Sequence, residues 1–66
     1  MKFKNLNHQQ KNQLKIKFLN EVLHGGTGIS PYEKNHADQY VTDKEIKEEY
    51  GQINFTKEFF TKEFTI

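Results

Sequence analysis

The chain has 66 residues, a formal net charge of +1 and no cysteine. A chain this short forms one domain at most and buries only about 60% of the surface that its unfolded form exposes. The missing cysteines exclude disulfides, thiolate zinc sites, iron–sulfur clusters and cysteine nucleophiles. We therefore predict a single small domain over residues 1–66. Formation of a homo-oligomer or binding of a partner would bury further apolar surface and stabilise it.

No stretch of the chain approaches the roughly 18 apolar residues of a membrane span. The polar start, from Met1 to Asn5, also lacks the apolar region of a signal peptide. We predict a cytoplasmic protein that does not bind membranes. The chain has ten Lys and no Arg, a bias that resembles the composition of AT-rich genomes, as in low-GC bacteria and their phages. Without arginine, the chain has no bidentate guanidinium group to read guanine or clamp phosphate.

Charge is divided unequally along the chain. Residues 1–24 contain five Lys and one Glu, a net charge of +4, whereas residues 25–66 contain five Lys and eight acids, a net charge of −3. A dipolar molecule of this kind packs its halves together, pairs head to tail or presents one face to a charged partner.

The first predicted element is a helix from about Asn7 to His24. Asn7 is a favourable N-cap, and the glycines that follow His24 are a strong stop signal. The apolar residues form two adjacent stripes that together span about 200° of the helix. They are Leu14, Phe18 and Val22 in one stripe and Ile16, Leu19 and Leu23 in the other. So wide a face predicts contact with two neighbouring elements, or with the core on one side and a partner on the other.

A glycine-rich loop is predicted over residues 25–30. It lacks the Lys-Ser/Thr of a phosphate-binding P-loop and the preceding strand of a dinucleotide site, so a connector is the favoured interpretation. Because the chain also shows no catalytic constellation, we predict that the protein is not an enzyme. Four polar residues lie around the loop: His24, Glu33, His36 and Asp38. Their spacing matches no zinc-ligand pattern, so we predict neither a metal nor a cofactor.

A short helical turn should follow this loop. Ser30 suits an N-cap and Pro31 suits the first helical position. The turn is expected to continue to about Tyr40.

A further helix is predicted from Asp43 to Tyr50. Thr42 and Glu45 have the spacing of a capping box, in which each side chain bonds the backbone N–H of the other residue. Gly51 follows as the stop signal. The predicted helix is amphipathic, with Tyr50 on its buried face.

The C-terminal part contains a tandem repeat, since residues 55–59 and 60–64 both read Phe-Thr-Lys-Glu-Phe. Thr and Phe favour a strand, whereas Lys and Glu at this spacing favour a helix, which we prefer. The predicted fold is therefore a compact, mostly α domain of three to four short helices. A β conformation of the C-terminal segment would instead make the fold α+β.

The segment from Thr42 to Phe64 allows a helix-turn-helix with Gly51 in the turn. A small residue usually stands four positions before that glycine, where this chain has Lys47, so the fit is poor. A dimeric DNA-binding regulator of this type is the alternative function. Its contacts with DNA would be lysine and amide side chains: Lys11, Lys15, Lys17, Gln52, Asn54 and Lys57.

The acidic stretch from Glu33 to Tyr50 favours protein binding. Tyrosines interleaved with carboxylates suit a basic partner surface, although they also fit a solvated helix face with core tyrosines. We predict a small inhibitor or adaptor, of a phage or mobile-element type, that occupies a surface of a larger nucleic-acid-handling protein. The candidate contacts are Tyr32, which directly precedes this stretch, and six residues within it: Asp38, Tyr40, Asp43, Glu45, Glu48 and Glu49.

Overall fold

The computed structural model describes the backbone of residues 1–64 and the side chains of residues 1–60. Within these limits the chain forms helices and no strand, which confirms the predicted mostly α fold. A 3₁₀ turn, Phe3–Asn5, precedes the first α-helix, and a π-helical turn, Leu19–Leu23, extends it. The α-helices are α1 (His8–Phe18), α2 (Pro31–Asn35), α3 (Ala37–Tyr40), α4 (Asp43–Tyr50) and α5 (Lys57–Phe64).

Three helices begin at the N-caps that the sequence predicts. In each, the N-cap side chain accepts a hydrogen bond from the backbone N–H of the third helical residue, whose side chain accepts one in return. These reciprocal bonds satisfy N–H groups that have no partner inside the helix, and they fix where α1, α2 and α4 start. The pairs are Asn7 with Gln10, Ser30 with Glu33, and Thr42 with Glu45.

The core is built around α1, against which α3, α4 and α5 all pack. Leu14 of α1, Leu19 of the π-helical turn and Ile46 of α4 are almost completely buried. Burial of apolar surface stabilises the fold by about 25 cal/mol per Å². The other members of the buried apolar cluster are Leu6, Phe18, Val41, Tyr50 and Phe55.

The first helix ends in a turn that is wider than an α-helical turn. The His24 N–H donates to the Leu19 carbonyl oxygen over 3.1 Å, an i to i+5 hydrogen bond of the π type. Val22 and Leu23, which belong to the predicted apolar stripes, are exposed on this turn. The fold therefore leaves part of the wide apolar face of the first helix uncovered.

Asn20 shapes the glycine-rich loop that follows. Its backbone oxygen accepts a hydrogen bond from the Gly26 N–H, and its Oδ1 accepts one from the Gly28 N–H, both over 2.8 Å. Gly26 and Gly28 have φ values of 86° and 103°, which residues with a side chain rarely adopt. The loop thus reverses the chain between the first helix and α2.

The helical turn that begins at Pro31 is divided in two. His36 has φ −126° and ψ 32°, outside the helical region, and it separates α2 from α3. The change of direction lets Ala37 pack into the core, whereas α2 has no buried residue.

The C-terminal repeat forms a helix, as preferred from its sequence, and the strand alternative is wrong. The helix begins at Lys57, two residues into the repeat, because Phe55 is held in a non-helical segment. The Phe55 N–H donates to the Met1 carbonyl oxygen, and the Phe55 oxygen accepts from the Met1 nitrogen, each over 2.7 Å. The buried Phe55 ring packs edge-on against Phe59, with centroids 5.2 Å apart.

Candidate partner-binding surface

Lys15, a predicted nucleic-acid contact, lies largely inside the fold. Its Nζ lies 2.7 Å from Oδ1 of Asp43, a predicted partner contact, and the two side chains are 10% and 64% exposed. The hydrogen bond from Lys15, together with its charge, holds the pKa of the Asp43 carboxyl below its usual value. The structure therefore joins one residue from each predicted set in an ion pair between α1 and α4.

Lys11 and Lys17, two further predicted nucleic-acid contacts, are half-buried on α1. Lys17 Nζ lies 2.7 Å from Glu21 Oε1 and 5.9 Å from the centroid of the Phe59 ring. Lys11 Nζ lies 5.8 Å from the centroid of the Phe3 ring. Both ammonium groups are thus oriented by neighbours within the chain.

Gln52, Asn54 and Lys57 are exposed in or just after the link between α4 and α5. Asn54 Oδ1 accepts a hydrogen bond from the Met1 nitrogen over 3.0 Å. In a helix-turn-helix, a turn of about three or four residues brings the two helices together. Here residues 51–56 separate the helices, and in the described part of the chain both helices pack mainly against α1. This geometry does not favour α5 as a recognition helix.

The four acidic residues of α4 have different surroundings. Asp43 is held in the ion pair described above, and Glu45 Oε1 accepts hydrogen bonds from the Thr42 N–H (2.9 Å) and hydroxyl (3.1 Å). Glu48 and Glu49 are exposed, and neither forms an ion pair with another described residue. Glu48 and Glu49 are therefore the acids of this helix that a partner can reach without disturbing the fold.

Four large apolar side chains are exposed between the end of the first helix and the end of α3. Their exposed fractions are 47% for Val22, 52% for Leu23, 58% for Tyr32 and 45% for Tyr40. We term these four residues the exposed apolar group. Tyr32 and Tyr40 were predicted as contacts from the sequence, whereas Val22 and Leu23 were not. The signal for the latter two was the unusually wide apolar face of the first helix.

A contact between His24 and Glu33 joins the two segments that carry Leu23 and Tyr32. His24 Nε2 lies 2.7 Å from Glu33 Oε2, and these residues directly follow Leu23 and Tyr32 in the sequence. The hydrogen bond from His24, aided by one from Ser30, lowers the pKa of the Glu33 carboxyl. Because Glu33 is ionised at neutral pH, this contact fixes the end of the first helix beside α2.

Tyr32 is oriented in advance by His36. The two rings stack with centroids 4.1 Å apart and planes inclined by 21°, and His36 Nδ1 lies 2.9 Å from the Tyr32 carbonyl oxygen. A side chain that is already fixed loses less conformational entropy when a partner binds. Tyrosine is also enriched among the residues that dominate interface energies. Tyr32 is therefore an exposed side chain whose ring is already oriented within the chain.

The polar residues weighed as metal ligands do not converge. No group of three or more His, Cys, Asp or Glu side chains with metal-binding geometry occurs among the described residues. His24 bonds Glu33, while His36 stacks on Tyr32. Asp38, the fourth of these residues, is exposed in the first turn of α3.

No protein-family model, curated protein or solved structure matches this chain. None of the described helices combines the length and the apolar character that crossing a membrane requires.

Proposed function

We propose that this protein acts by direct protein–protein binding, with the exposed apolar group at the centre of its binding surface. The observation that supports this is the exposure of Val22, Leu23 and Tyr32 on two segments that the His24–Glu33 contact joins. Interface centres are typically apolar and aromatic. A partner that covers this group would also supply apolar burial that so short a chain lacks.

The proposed partner is a larger protein with a basic surface. Residues 25–66 carry a net charge of −3. Asp38 is exposed on α3, which also carries Tyr40, and Glu48 and Glu49 are exposed on α4, which follows it. Proteins that handle nucleic acids present basic surfaces to phosphates. An acidic ligand with aromatic contacts suits such a surface, so we propose an inhibitor or adaptor of a nucleic-acid-handling protein. We also propose that it is of a phage or mobile-element type, which its lysine-rich, arginine-free composition supports, and that it acts in the cytoplasm.

We propose a binding protein and not an enzyme, and duplex DNA binding through α5 is the alternative that experiment must exclude. Immobilised protein should retain a specific protein from a lysate of the native host after nuclease treatment. The affinity of the purified pair can then be measured by surface plasmon resonance. Retention that disappears once nuclease is added would favour the DNA-binding alternative.

The decisive variant is Leu23→Ser combined with Tyr32→Ser. Both side chains are exposed, so the fold should persist while the affinity for the captured partner falls at least roughly tenfold. The matched control is Asn35→Ser combined with Gln39→Ser, which changes two exposed polar residues of α2 and α3. Equal affinities for the two double variants would contradict the proposed surface.

The acidic contribution is tested by Glu48→Lys combined with Glu49→Lys. Glu45 is left unchanged because its side chain caps α4. Charge reversal should slow association with a basic partner, and the difference from the unchanged protein should disappear at high salt. An unchanged association rate at low salt would show that these acids only face solvent.

A further inference from the structure

A basic concavity lies where the N-terminal 3₁₀ turn meets the end of α4. Its volume is about 490 Å³, and it is lined by Lys2, Phe3, Lys4, Lys47 and Gly51. We term it the Phe3 groove. Ligand sites in proteins typically have volumes of about 300–1,000 Å³. The groove shares no residue with the exposed apolar group, so it is a separate surface.

Positive charge is concentrated in this groove. Lys2, Lys4 and Lys47 are exposed, and none of them forms an ion pair with another described residue. Asp43, one turn before Lys47 on α4, is neutralised by Lys15. Three ammonium groups around one concavity, with no acid in its lining, attract an anionic ligand.

Phe3 gives the groove an aromatic wall. The ring is half-buried against the hydrophobic core, and Lys11 Nζ lies 5.8 Å from its centroid. These contacts orient the ring, and Phe3 lines the groove and stays partly exposed. A fixed aromatic ring among lysines is the combination with which proteins bind single-stranded nucleic acids, because bases stack on the ring while phosphates contact the cations.

We propose that the Phe3 groove binds single-stranded nucleic acid, with Lys2, Lys4 and Lys47 contacting phosphates and Phe3 stacking on an unpaired base. A duplex presents no free base face to the ring. An acidic peptide would neutralise the lysines but would leave Phe3 without a stacking partner. Because the chain has no arginine for bidentate base contacts, binding should tolerate many sequences. This site goes beyond the proposed protein-binding function and does not depend on it.

The test is fluorescence anisotropy of a fluorescein-labelled thymidine 12-mer titrated with the full chain at several salt concentrations. Three phosphate contacts predict a slope of log affinity against log salt of about −2, since each contact on a single strand contributes roughly −0.7. Lys47→Gln should weaken binding roughly threefold or more and reduce the slope by about 0.7. Lys34→Gln removes the same charge from α2, outside the groove, and should change the affinity less than about twofold.

The aromatic contribution is tested by Phe3→Leu and Phe3→Tyr, with helical circular dichroism confirming that each variant folds. Loss of stacking predicts roughly fivefold or weaker binding for Phe3→Leu, whereas Phe3→Tyr keeps the ring and should bind as the unchanged protein does. Several results would overturn the proposal: no binding at low salt, equal losses for Lys47→Gln and Lys34→Gln, duplex DNA binding as tightly as the single strand, or equal competition by polyglutamate. Each of these results leaves the protein-binding surface untouched.

Discussion

The Lys15 ammonium nitrogen and the Asp43 Oδ1 atom lie 2.7 Å apart and connect α1 to α4. The pair is asymmetric, because the lysine side chain is almost entirely buried and the aspartate side chain is mostly exposed. Removing a partner from a buried charge costs far more than removing one from a solvated charge. The two single substitutions should therefore have different effects on stability.

Asp43→Asn should lower the free energy of unfolding by about 1–2 kcal/mol, because it leaves the Lys15 ammonium group inside the protein without a counter-ion. Lys15→Met keeps the aliphatic packing and leaves an exposed carboxylate, so it should cost less than about 1 kcal/mol. Urea denaturation followed by circular dichroism gives both values. Asp38→Asn, another first-turn aspartate, is the matched control and should stay within about 0.5 kcal/mol of the unchanged protein. A loss for Asp43→Asn no larger than this control's would contradict the structural role of the pair.

The stabilisation provided by Asp43 should depend on pH. Its folded-state pKa lies below the ordinary value of 3.8, so the contribution is fully present above that value and is lost as the pH falls through the lowered pKa. The stability difference between the unchanged protein and Asp43→Asn should therefore be constant near neutral pH and shrink below about pH 4. A difference that stays the same down to pH 2 would show that ionisation of Asp43 is not responsible.

Gly51→Ala should destabilise the protein, although the residue has a φ of −63° that any amino acid adopts. On backbone conformation alone, this substitution would stabilise the fold by about 0.4–1 kcal/mol. A Cβ atom at this position would, however, overlap the Lys47 carbonyl oxygen. We expect a loss of about 1–3 kcal/mol in thermal or urea unfolding. If Gly51→Ala stabilised the protein, the backbone at position 51 would not lie this close to the Lys47 carbonyl oxygen in solution.

Tyr50→Phe should leave the stability unchanged or raise it by up to about 1 kcal/mol. The Tyr50 hydroxyl is buried and has no hydrogen-bond partner among the described residues. Burial, aided by the charges of Glu21 and Glu49, raises its pKa from 10.0 to about 12. Stability should therefore fall as the pH rises from about 10 to 12, and Tyr50→Phe should remove that part of the loss. A clear destabilisation at neutral pH would indicate that the hydroxyl does bond a partner.

Local signals in the sequence predicted where α1, α2 and α4 start. The caps at Asn7, Ser30 and Thr42 could be read because a capping box involves residues only three positions apart. The helix in the C-terminal repeat was also favoured correctly, since alternating charges suit a helix once its Phe residues can reach a core. Contacts between distant segments could not be predicted in this way. Pairing of the Met1 and Phe55 backbones depends on how the whole chain closes.

The candidate surface was predicted only in part, for the same reason. The mixture of tyrosines and acids around Tyr32 predicts it as a candidate contact. Its stacking on His36 depends on the break between α2 and α3. The sequence predicts Lys15 as a nucleic-acid contact, because periodicity cannot show that it pairs with Asp43 of α4. Leu23 was assigned to the apolar stripe, and only the fold shows that no described element covers it.

The most direct test of the proposed binding surface is site-specific photo-crosslinking in a nuclease-treated lysate of the native host. A photoreactive phenylalanine analogue would replace Leu23, Tyr32 or, as a control on another exposed part of the chain, Gln52. We predict that positions 23 and 32 crosslink to the same larger protein and that position 52 does not. Equal crosslinking at position 52, or none at positions 23 and 32, would contradict the proposal.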